Sequence, residues 1–355
     1  ASRRAVREHL AARGVPVAVV PAPLAPNYNR VVWQVPEPAP LVSVIIPTRD
    51  RIELLTSCLD GLLNRTNYPA IEVLIVDNDS RSPEALAYFT RIRADSRIRV
   101  IAAPGPFNYA DLNNRAAAQA SGEILVLLNN DIKVIDGGWL RELVSHAMRP
   151  DVGAVGAKLL YADGRLQHGG IVLGVGGVAG HYRAGDRRNS VGSFGWLALT
   201  RTTSALTGAC LAVRRSVYAE VGGLDAQNLA IAFNDVDFCL RLQARGYRNI
   251  WTPAAELYHL ESASRGLDLS GANVERFRRE TEVMLGRWDG ALQSDPCWNP
   301  NLSLDNAHGV PAWPPRQEKV WKRGAPAASA GNGLFDQPAL SSCPENTEAG
   351  IPKVS

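Results

Sequence analysis

Apolar residues along this chain gather in short unbroken runs that stop abruptly on polar clusters. Residues 123–128 carry the clearest run, Ile124-Leu125-Val126-Leu127-Leu128, which ends on Asn129-Asn130-Asp131. A continuous apolar stretch of this length suits a strand buried on both faces. Two earlier runs have the same form: residues 41–46 end on Pro47-Thr48-Arg49-Asp50, and residues 72–76 on Asp77-Asn78-Asp79-Ser80. Residues 97–102 supply another strand. Between the runs the spacing becomes helical, with Leu54, Leu55, Cys58, Leu59 and Leu62 on one face over residues 51–63. Pro83 is placed to start a second helix, and residues 111–120 read as a third. This alternation over residues 41–131 predicts an α/β fold with a Rossmann-like, mostly parallel sheet flanked by helices. Parallel strands deliver their polar ends to one edge, where open α/β sheets bind ligands.

The second half has a different texture. Glycine-rich residues 169–177 and the polar stretch 180–193 predict mixed strands joined by mobile loops. Residues 206–213 read as a strand and 233–242 as a helix with Asn234 as its N-cap. Residues 247–251 and 256–258 read as two short strands, and 273–288 as a closing amphipathic helix. No internal repeat or composition shift divides the middle of the chain, so residues 41–304 are expected to form one domain with two subregions. Residues 1–40 begin with a helix-like segment over 3–13 and continue through Pro16, Pro21, Pro23, Pro26, Pro36, Pro38 and Pro40. Such a run suits neither a central strand nor a helix interior, and predicts an extended arm or linker. Residues 305–355 lose apolar periodicity and predict a largely disordered tail.

Composition narrows the function classes. An apolar fraction of 46% with 21% charged residues is ordinary for a globular protein, and the formal net charge is only +3. The basic residues are scattered, with no aromatic-interleaved basic stripe, so no nucleic-acid partner is expected. No segment reaches the roughly 18 uninterrupted apolar residues of a membrane span. The start, Ala-Ser-Arg-Arg, lacks the apolar core of a signal peptide, so a cytoplasmic location is expected, with peripheral association at the inner face of the membrane left open. Cys58, Cys210, Cys239, Cys297 and Cys343 are widely spaced, without a CxxC pair, and read as reduced structural thiols.

The polar strand ends carry the candidate chemistry. Asp77 and Asp79 suit a turn, because Asp, Asn and Ser side chains bond nearby backbone. The same edge also gives Asp77 the means to accept a pyrimidine N–H, while Thr48 and Arg49 offer contacts to ribose or phosphate. Asp131 can hold a magnesium or manganese ion in the mode where one carboxylate shares the ion with substrate phosphates. Asp235 and Asp237 suit the first turn of a helix, where acidic residues complement the macrodipole. Their apolar company, Phe233, Val236, Phe238 and Cys239, would also raise a carboxyl pKa and make a general base. His259 reads either as a packed residue or as a neutral imidazole completing the cation site, and Arg265 as a bidentate phosphate partner. His168 and His181 lie in the glycine-rich region, and spacing gives no reason to assign them to the acceptor.

From residue 41 to about 304 the chain resembles the inverting glycosyltransferases of family 2, which have the GT-A fold, and particularly their bacterial rhamnosyltransferase-like members. Val44-Ile45-Ile46-Pro47-Thr48-Arg49-Asp50-Arg51 looks like the family's opening strand, Val76-Asp77-Asn78-Asp79-Ser80 like its base-binding turn, and Leu128-Asn129-Asn130-Asp131 like its metal motif. Thr207-Gly208-Ala209-Cys210 resembles the acceptor-side stretch, Asn234-Asp235 the acidic pair whose second member is the base, and Tyr258-His259-Leu260-Glu261-Ser262 a late motif over the diphosphate. The resemblance implies a metal-dependent enzyme that moves a sugar from a UDP- or dTDP-sugar to a saccharide or lipid-linked saccharide in cell-surface polysaccharide synthesis. It implies Asp235 as catalytic base, Asp131 and His259 at a Mg2+ or Mn2+ ion, and Pro47, Thr48, Arg49, Asp77, Asp79, Asn129, Asn130 and Arg265 around the donor. Gly208, Ala209, Asn234 and Asp237 fall on the acceptor side, a mixed subregion of the sheet.

Two departures stand out: only Asp131 is charged in the metal triplet, and Asn234 takes the first place of the acidic pair. A sugar nucleotidylyltransferase would share the nucleotide-binding core but usually carries a glycine- and arginine-rich loop after the first strand, which Thr48-Arg49-Asp50-Arg51 does not resemble. A non-catalytic glycan-binding module with the same fold is the other alternative; the presence of Asp131 and Asp235 argues against it.

Overall fold

The computed structural model describes residues 2–260 and 272–316. The chain opens with helix α1 (Ser2–Ala12) and two strands, β1 (Val17–Ala22) and β2 (Ala25–Trp33). The next block is β3 (Val42–Thr48), α2 (Ile52–Asp60), β4 (Ile71–Asp77), α3 (Pro83–Ile92), β5 (Ile98–Ala102), α4 (Tyr109–Ala117) and β6 (Ile124–Leu128). After it come β7 (Ile132–Val134), α5 (Trp139–Ala147), β8 (Val152–Leu160), β9 (Leu166–His168), β10 (Ile171–Leu173), β11 (Ala179–His181) and β12 (Arg201–Thr203). The described residues close with β13 (Cys210–Arg214), α6 (Arg215–Glu220), α7 (Asn234–Ala244), β14 (Arg248–His259) and α8 (Ala272–Gln293).

The central sheet runs β12-β14-β8-β13-β6-β3-β4-β5. β6, β3, β4 and β5 are mutually parallel, and every residue of β3 and β6 is buried, in keeping with their near-continuous apolar runs. β13 enters antiparallel to both β6 and β8, and β14 runs parallel to β8, which makes the second half mixed. Alternation along the strands feeds two cores. Val44, Ile46, Val73, Ile75 and Val126 face α2, α3 and α5, while Ile45, Leu74, Val76, Leu125 and Leu127 face α4 and α7.

Two local expectations differ from what the chain does. The proline-rich stretch expected as an extended arm or linker forms a paired ribbon: β1 and β2 pair antiparallel across a turn at Pro23-Leu24, with Pro21 beside a register shift. A two-stranded ribbon has only edges, where a missing N–H costs little. Residues 247–251 and 256–258 belong to one long strand, β14, because its irregularity between Thr252 and Glu256 accommodates Pro253 without ending the pairing with β8. Of the expected tail, residues 305–316 continue along the domain, with Leu302 bridging Pro311, and residues 317–355 lie outside the described residues.

The ribbon is pinned from behind the sheet. Arg30 Nη2 donates to Glu142 Oε2 at 2.7 Å, Thr252 Oγ1 donates to Oε1 at 2.7 Å, and His146 Nε2 lies 3.2 Å from Oε1. Burial alone would push the Glu142 carboxyl up, but His146, Arg30 and Thr252 pull it down to about 2. Arg149 also stacks over the Trp33 ring, 4.2 Å from its centroid. Replacing Arg30 by Met leaves Glu142 short of a partner and is expected to lower the unfolding free energy by about 1–3 kcal/mol at neutral pH. A depressed carboxyl stabilises the fold above its unfolded pKa and loses that contribution as the pH falls towards its folded value, so the penalty should shrink in acid. Urea unfolding at neutral pH and near pH ~3 reads both effects, and equal stability of the two proteins at neutral pH would refute the pinning role.

Candidate active site

β3, β4 and β6 end level with one another because the register places Thr48 opposite Asp77 and Ile45 opposite Leu127. The loops beyond them are bound together. Asp50 Oδ1 accepts the N–H groups of Arg81 and Ser82 at 2.8 and 2.9 Å, and the Asp50 N–H donates to Ser80 Oγ at 2.7 Å. The Ser82 and Arg81 amides hold the Asp50 carboxyl below the usual carboxylate range. Asp77 Oδ1 accepts the Ser80 N–H at 2.9 Å, and Asp79 pairs with Arg81 at 2.7 Å from a backbone at φ 62°. Pro47 and Thr48 are buried while Arg49 is exposed. Asn130 Nδ2 donates to Thr48 Oγ1 at 2.9 Å, which joins the triplet to the first strand's exit. Sequence reasoning missed Asp50 as the organiser of this edge, and also Asn78, whose Nδ2 donates to the carbonyls of Ala103 and Gly105.

The antiparallel entry of β13 brings the second half of the site to the first. Cys210 lies opposite Leu128, and the Asn129 N–H donates to the Ala209 carbonyl at 3.0 Å, so the loop before β13 runs beside the triplet. Gly208 is crowded: the Tyr109 hydroxyl donates to its carbonyl at 2.8 Å, and a Cβ there would sit 3.0 Å from that hydroxyl. The Gly208 N–H donates to Asp235 Oδ2 at 2.8 Å, and Asp235 Oδ1 accepts the Val236 N–H at 2.8 Å. Burial pushes the Asp235 carboxyl up, opposed by the Gly208 amide and by His181, and the net direction is upward.

α7 presents Asp235 from its first turn, but not through the expected cap. Phe233 caps the helix at φ 60°, and Asn234 is buried inside the first turn with Nδ2 donating to the Ile231 carbonyl at 2.8 Å. The preceding loop is clamped by Glu280, which accepts the Ile231 and Ala232 N–H groups at 3.0 and 2.9 Å, and by Asn114 and Asn108 of the α4 region, which bond Leu224 and Ala226. Asp237 is fully buried, and its carboxylate is taken up by Arg241, Arg287 and the Trp288 indole at 2.7–2.9 Å, so it anchors α7 to α8.

At the other end, β14 pairs with β7 and delivers His259 to Asp131. His259 Nδ1 lies 2.7 Å from Gln167 Oε1, while Nε2 lies 3.1 Å from Asn129 Nδ2 and 3.2 Å from Asp131 Oδ1. With the ring proton assigned to Nδ1, donating to Gln167, Nε2 accepts from Asn129 Nδ2, and Asp131 Oδ1 beside it is a buried oxygen that accepts no hydrogen bond. Two acceptors held this close in a dry corner favour a cation between them. Carboxylate oxygen plus imidazole nitrogen suits Mn2+ or Mg2+. Among the described residues no group of three or more His, Cys, Asp or Glu could hold a metal, so the other ligands would come from substrate and water. Nothing in a single sequence marks Gln167. Cys58 lies beneath, and burial together with the Asp131 charge pushes its thiol up to about 12, in keeping with an inert thiol. Arg265 lies outside the described residues.

A sheet in this order, with its polar edge facing a mixed subregion, defines a GT-A glycosyltransferase fold. Residues 43–222 match glycosyl transferase family 2, and the chain belongs to that family. The match ends before Asp235. The chain is 42% identical over 304 residues to the O-antigen biosynthesis protein RfbC of Myxococcus xanthus, covering 85% of this chain and 23% of that protein. It is 26% identical over 294 residues to the N-acetylglucosaminyl-diphospho-decaprenol L-rhamnosyltransferase of Mycobacterium tuberculosis, covering 75% of this chain and 90% of that one. The fold is similar to that of a mannosyltransferase from Pyrobaculum calidifontis, solved in complex with GDP-Man and Mn2+, at TM-score 0.50 and 21% identity over 74% of this chain and 73% of that one. The chain spans 23% to 35% of the length of the more similar curated relatives it matches.

The bond from Gln167 sets the orientation and tautomer of His259, so Gln167→Leu is expected to weaken Mn2+ binding by about 10- to 100-fold. Gln167→Glu, which keeps an acceptor, should retain most of it. Electron paramagnetic resonance of free Mn2+ in the presence of nucleoside diphosphate measures this without turnover, and unchanged affinity in Gln167→Leu would remove Gln167 from the site.

Proposed function

We propose that this chain is a metal-dependent, inverting glycosyltransferase that moves a sugar from a nucleotide-diphosphate donor to a hydroxyl of a saccharide, free or lipid-linked, in cell-surface polysaccharide synthesis. One observation carries the reading. The corner formed by Asp131 and His259 and the carboxylate of Asp235 are coupled through Asn129, Ala209 and Gly208 at one sheet edge. Asp131 and His259 would hold a divalent cation, which as a Lewis acid would neutralise the leaving diphosphate. Thr48, Asn130 and the Asp77 turn line the same edge, where Asp77 has a carboxylate oxygen left for a base N–H. Asp235 accepts one N–H on each oxygen, which leaves lone pairs free for an acceptor proton.

In the proposed step the acceptor O–H gives its proton to Asp235 while its oxygen attacks the anomeric carbon opposite the departing diphosphate. One displacement forms one C–O bond, breaks one, and inverts the configuration. The relatives, an O-antigen biosynthesis protein and an N-acetylglucosaminyl-diphospho-decaprenol L-rhamnosyltransferase, support a polysaccharide setting and a lipid-linked acceptor. Among the described residues no helix is long and apolar enough to cross a membrane, and the proposed place of work is the cytoplasmic face of one.

Asp235→Asn keeps an acceptor for the Gly208 amide but cannot take a proton. It is expected to cut transfer by about 10²- to 10⁴-fold while calorimetric binding of the donor with Mn2+ stays within error; unchanged turnover sinks the assignment. Because burial raises the Asp235 pKa, the acid limb of kcat/KM should lie above the ordinary aspartate value of about 3.9, with activity falling as the pH drops through it. A limb at or below that value would assign the base elsewhere. Transfer that persists in excess chelator would refute the role given to Asp131 and His259.

A further inference from the structure

Away from the cleft, three neighbouring segments hold large apolar side chains in water. Phe194 is 87% exposed and Trp313 92%, with Tyr28 at 45% and Val310 at 50% beside them. Exposed apolar residues scattered singly are ordinary, but the segments that carry these come close together. A Cβ on Gly195 would lie 3.8 Å from the Tyr28 ring, and one on Gly309 would lie 3.8 Å from Ser193 Oγ. Trp313 follows a turn closed by the Leu302–Pro311 bridge and by the Ala312 N–H donating to the Asn301 carbonyl at 2.8 Å. The backbone of Phe194 is left-handed at φ 53°, between Gly192 at φ 66° and Gly195 at φ 81°. A bulky residue in that region is strained, and here the ring of the strained residue projects into solvent.

Helix α1 lies alongside. It buries none of its residues, and Arg3 Nη2 donates to the carbonyl of Pro26, two residues from Tyr28, at 3.2 Å. Residues 2–13 carry Arg3, Arg4, Arg7 and Arg13 against Glu8 alone, which pairs with Arg4 at 3.5 Å. Protruding aromatic tips together with a segment carrying four arginines against one glutamate match the headgroup zone of an anionic bilayer, where rings insert shallowly and basic side chains meet lipid phosphates. A folded partner would need pockets shaped to two separate tips, whereas a lipid surface needs only that they protrude.

We infer that α1, Tyr28, Phe194 and Trp313 form a face that seats this protein on an anionic lipid surface. The inference rests on the glycosyltransferase reading only for its consequence, delivery of a lipid-linked acceptor. The face continues towards the cleft: Arg183 bonds the Ala307 and His308 carbonyls at 3.1 and 3.0 Å, and His181, two residues earlier, acts electrostatically on Asp235.

Co-sedimentation with vesicles of phosphatidylcholine, with and without phosphatidylglycerol, tests the face without turnover. Binding should require the anionic lipid and weaken as salt rises. It should drop by about tenfold or more in Phe194→Ala/Trp313→Ala and also in Arg4→Gln/Arg7→Gln. Both variants should keep the circular dichroism of the wild type, the thermal shift produced by donor with Mn2+, and turnover of a water-soluble acceptor. Should the glycosyltransferase reading fail, turnover is missing from every protein while vesicle binding and its loss in the variants remain. A wild type that stays in the supernatant with anionic vesicles at low salt, or variants that sediment like it, overturns the inference. So does a dimer in light scattering that Phe194→Ala dissolves without any vesicle binding, which gives the face to a second copy of the chain.

Discussion

The arrangement of the site depends on one strand running the wrong way. β13 enters antiparallel between β6 and β8, and its register sets the Ala209 carbonyl against the Asn129 amide. A parallel strand in that slot would have sent residues 207–209 to the opposite edge. Reversed, it lays them beside the triplet, and the Gly208 amide then fixes the carboxylate of Asp235, which comes from a helix about a hundred residues downstream of Asp131 in the sequence. The crowding of Gly208 by Tyr109 follows from the same close approach.

Three aspartates at or near the cleft have three fates, set by surroundings rather than by residue type. Asp131 is buried with one oxygen unsatisfied beside the His259 imidazole, a state that favours a cation. Asp235 is bonded by two amides yet desolvated, which raises its pKa and readies it for a proton. Asp237, only two residues on, is neutralised by Arg241 and Arg287 and bonded by Trp288, so it holds helices together. The carboxylate with strong internal partners has no chemistry left to perform, and the two without such partners carry the proposed reaction.

The parallel half of the fold was legible because buried parallel strands need unbroken apolar runs, and such runs cannot be hidden in a sequence. Their polar ends were legible for the same reason, since Thr48, Asp77 and Asp131 stand where the runs stop. Proline misled at two places. Residues 17–33 pair as a ribbon because both strands are edges, and β14 passes Pro253 through a bulge; neither is visible without the partner strand. Asn234 looked like a cap by residue type, but Phe233 takes that place in a left-handed conformation which Glu280, held on α8, helps to impose on the loop before it. Gln167 gave no local sign, because its role exists only in the 2.7 Å bond to a histidine on another strand.

Local chemistry written along the chain decided the strands, the helices and the polar edge, since apolar periodicity and turn residues act over a few positions. Which of those polar residues meet was decided by strand order and direction. The pairing of Asp131 with His259, the placing of Asp235 beside Gly208, and the withdrawal of Asp237 into an ion pair are contacts across gaps of 27 to 128 residues. Such contacts form only when a sheet closes and its loops are clamped, so their energies belong to the folded whole and leave no pattern in any short stretch of sequence.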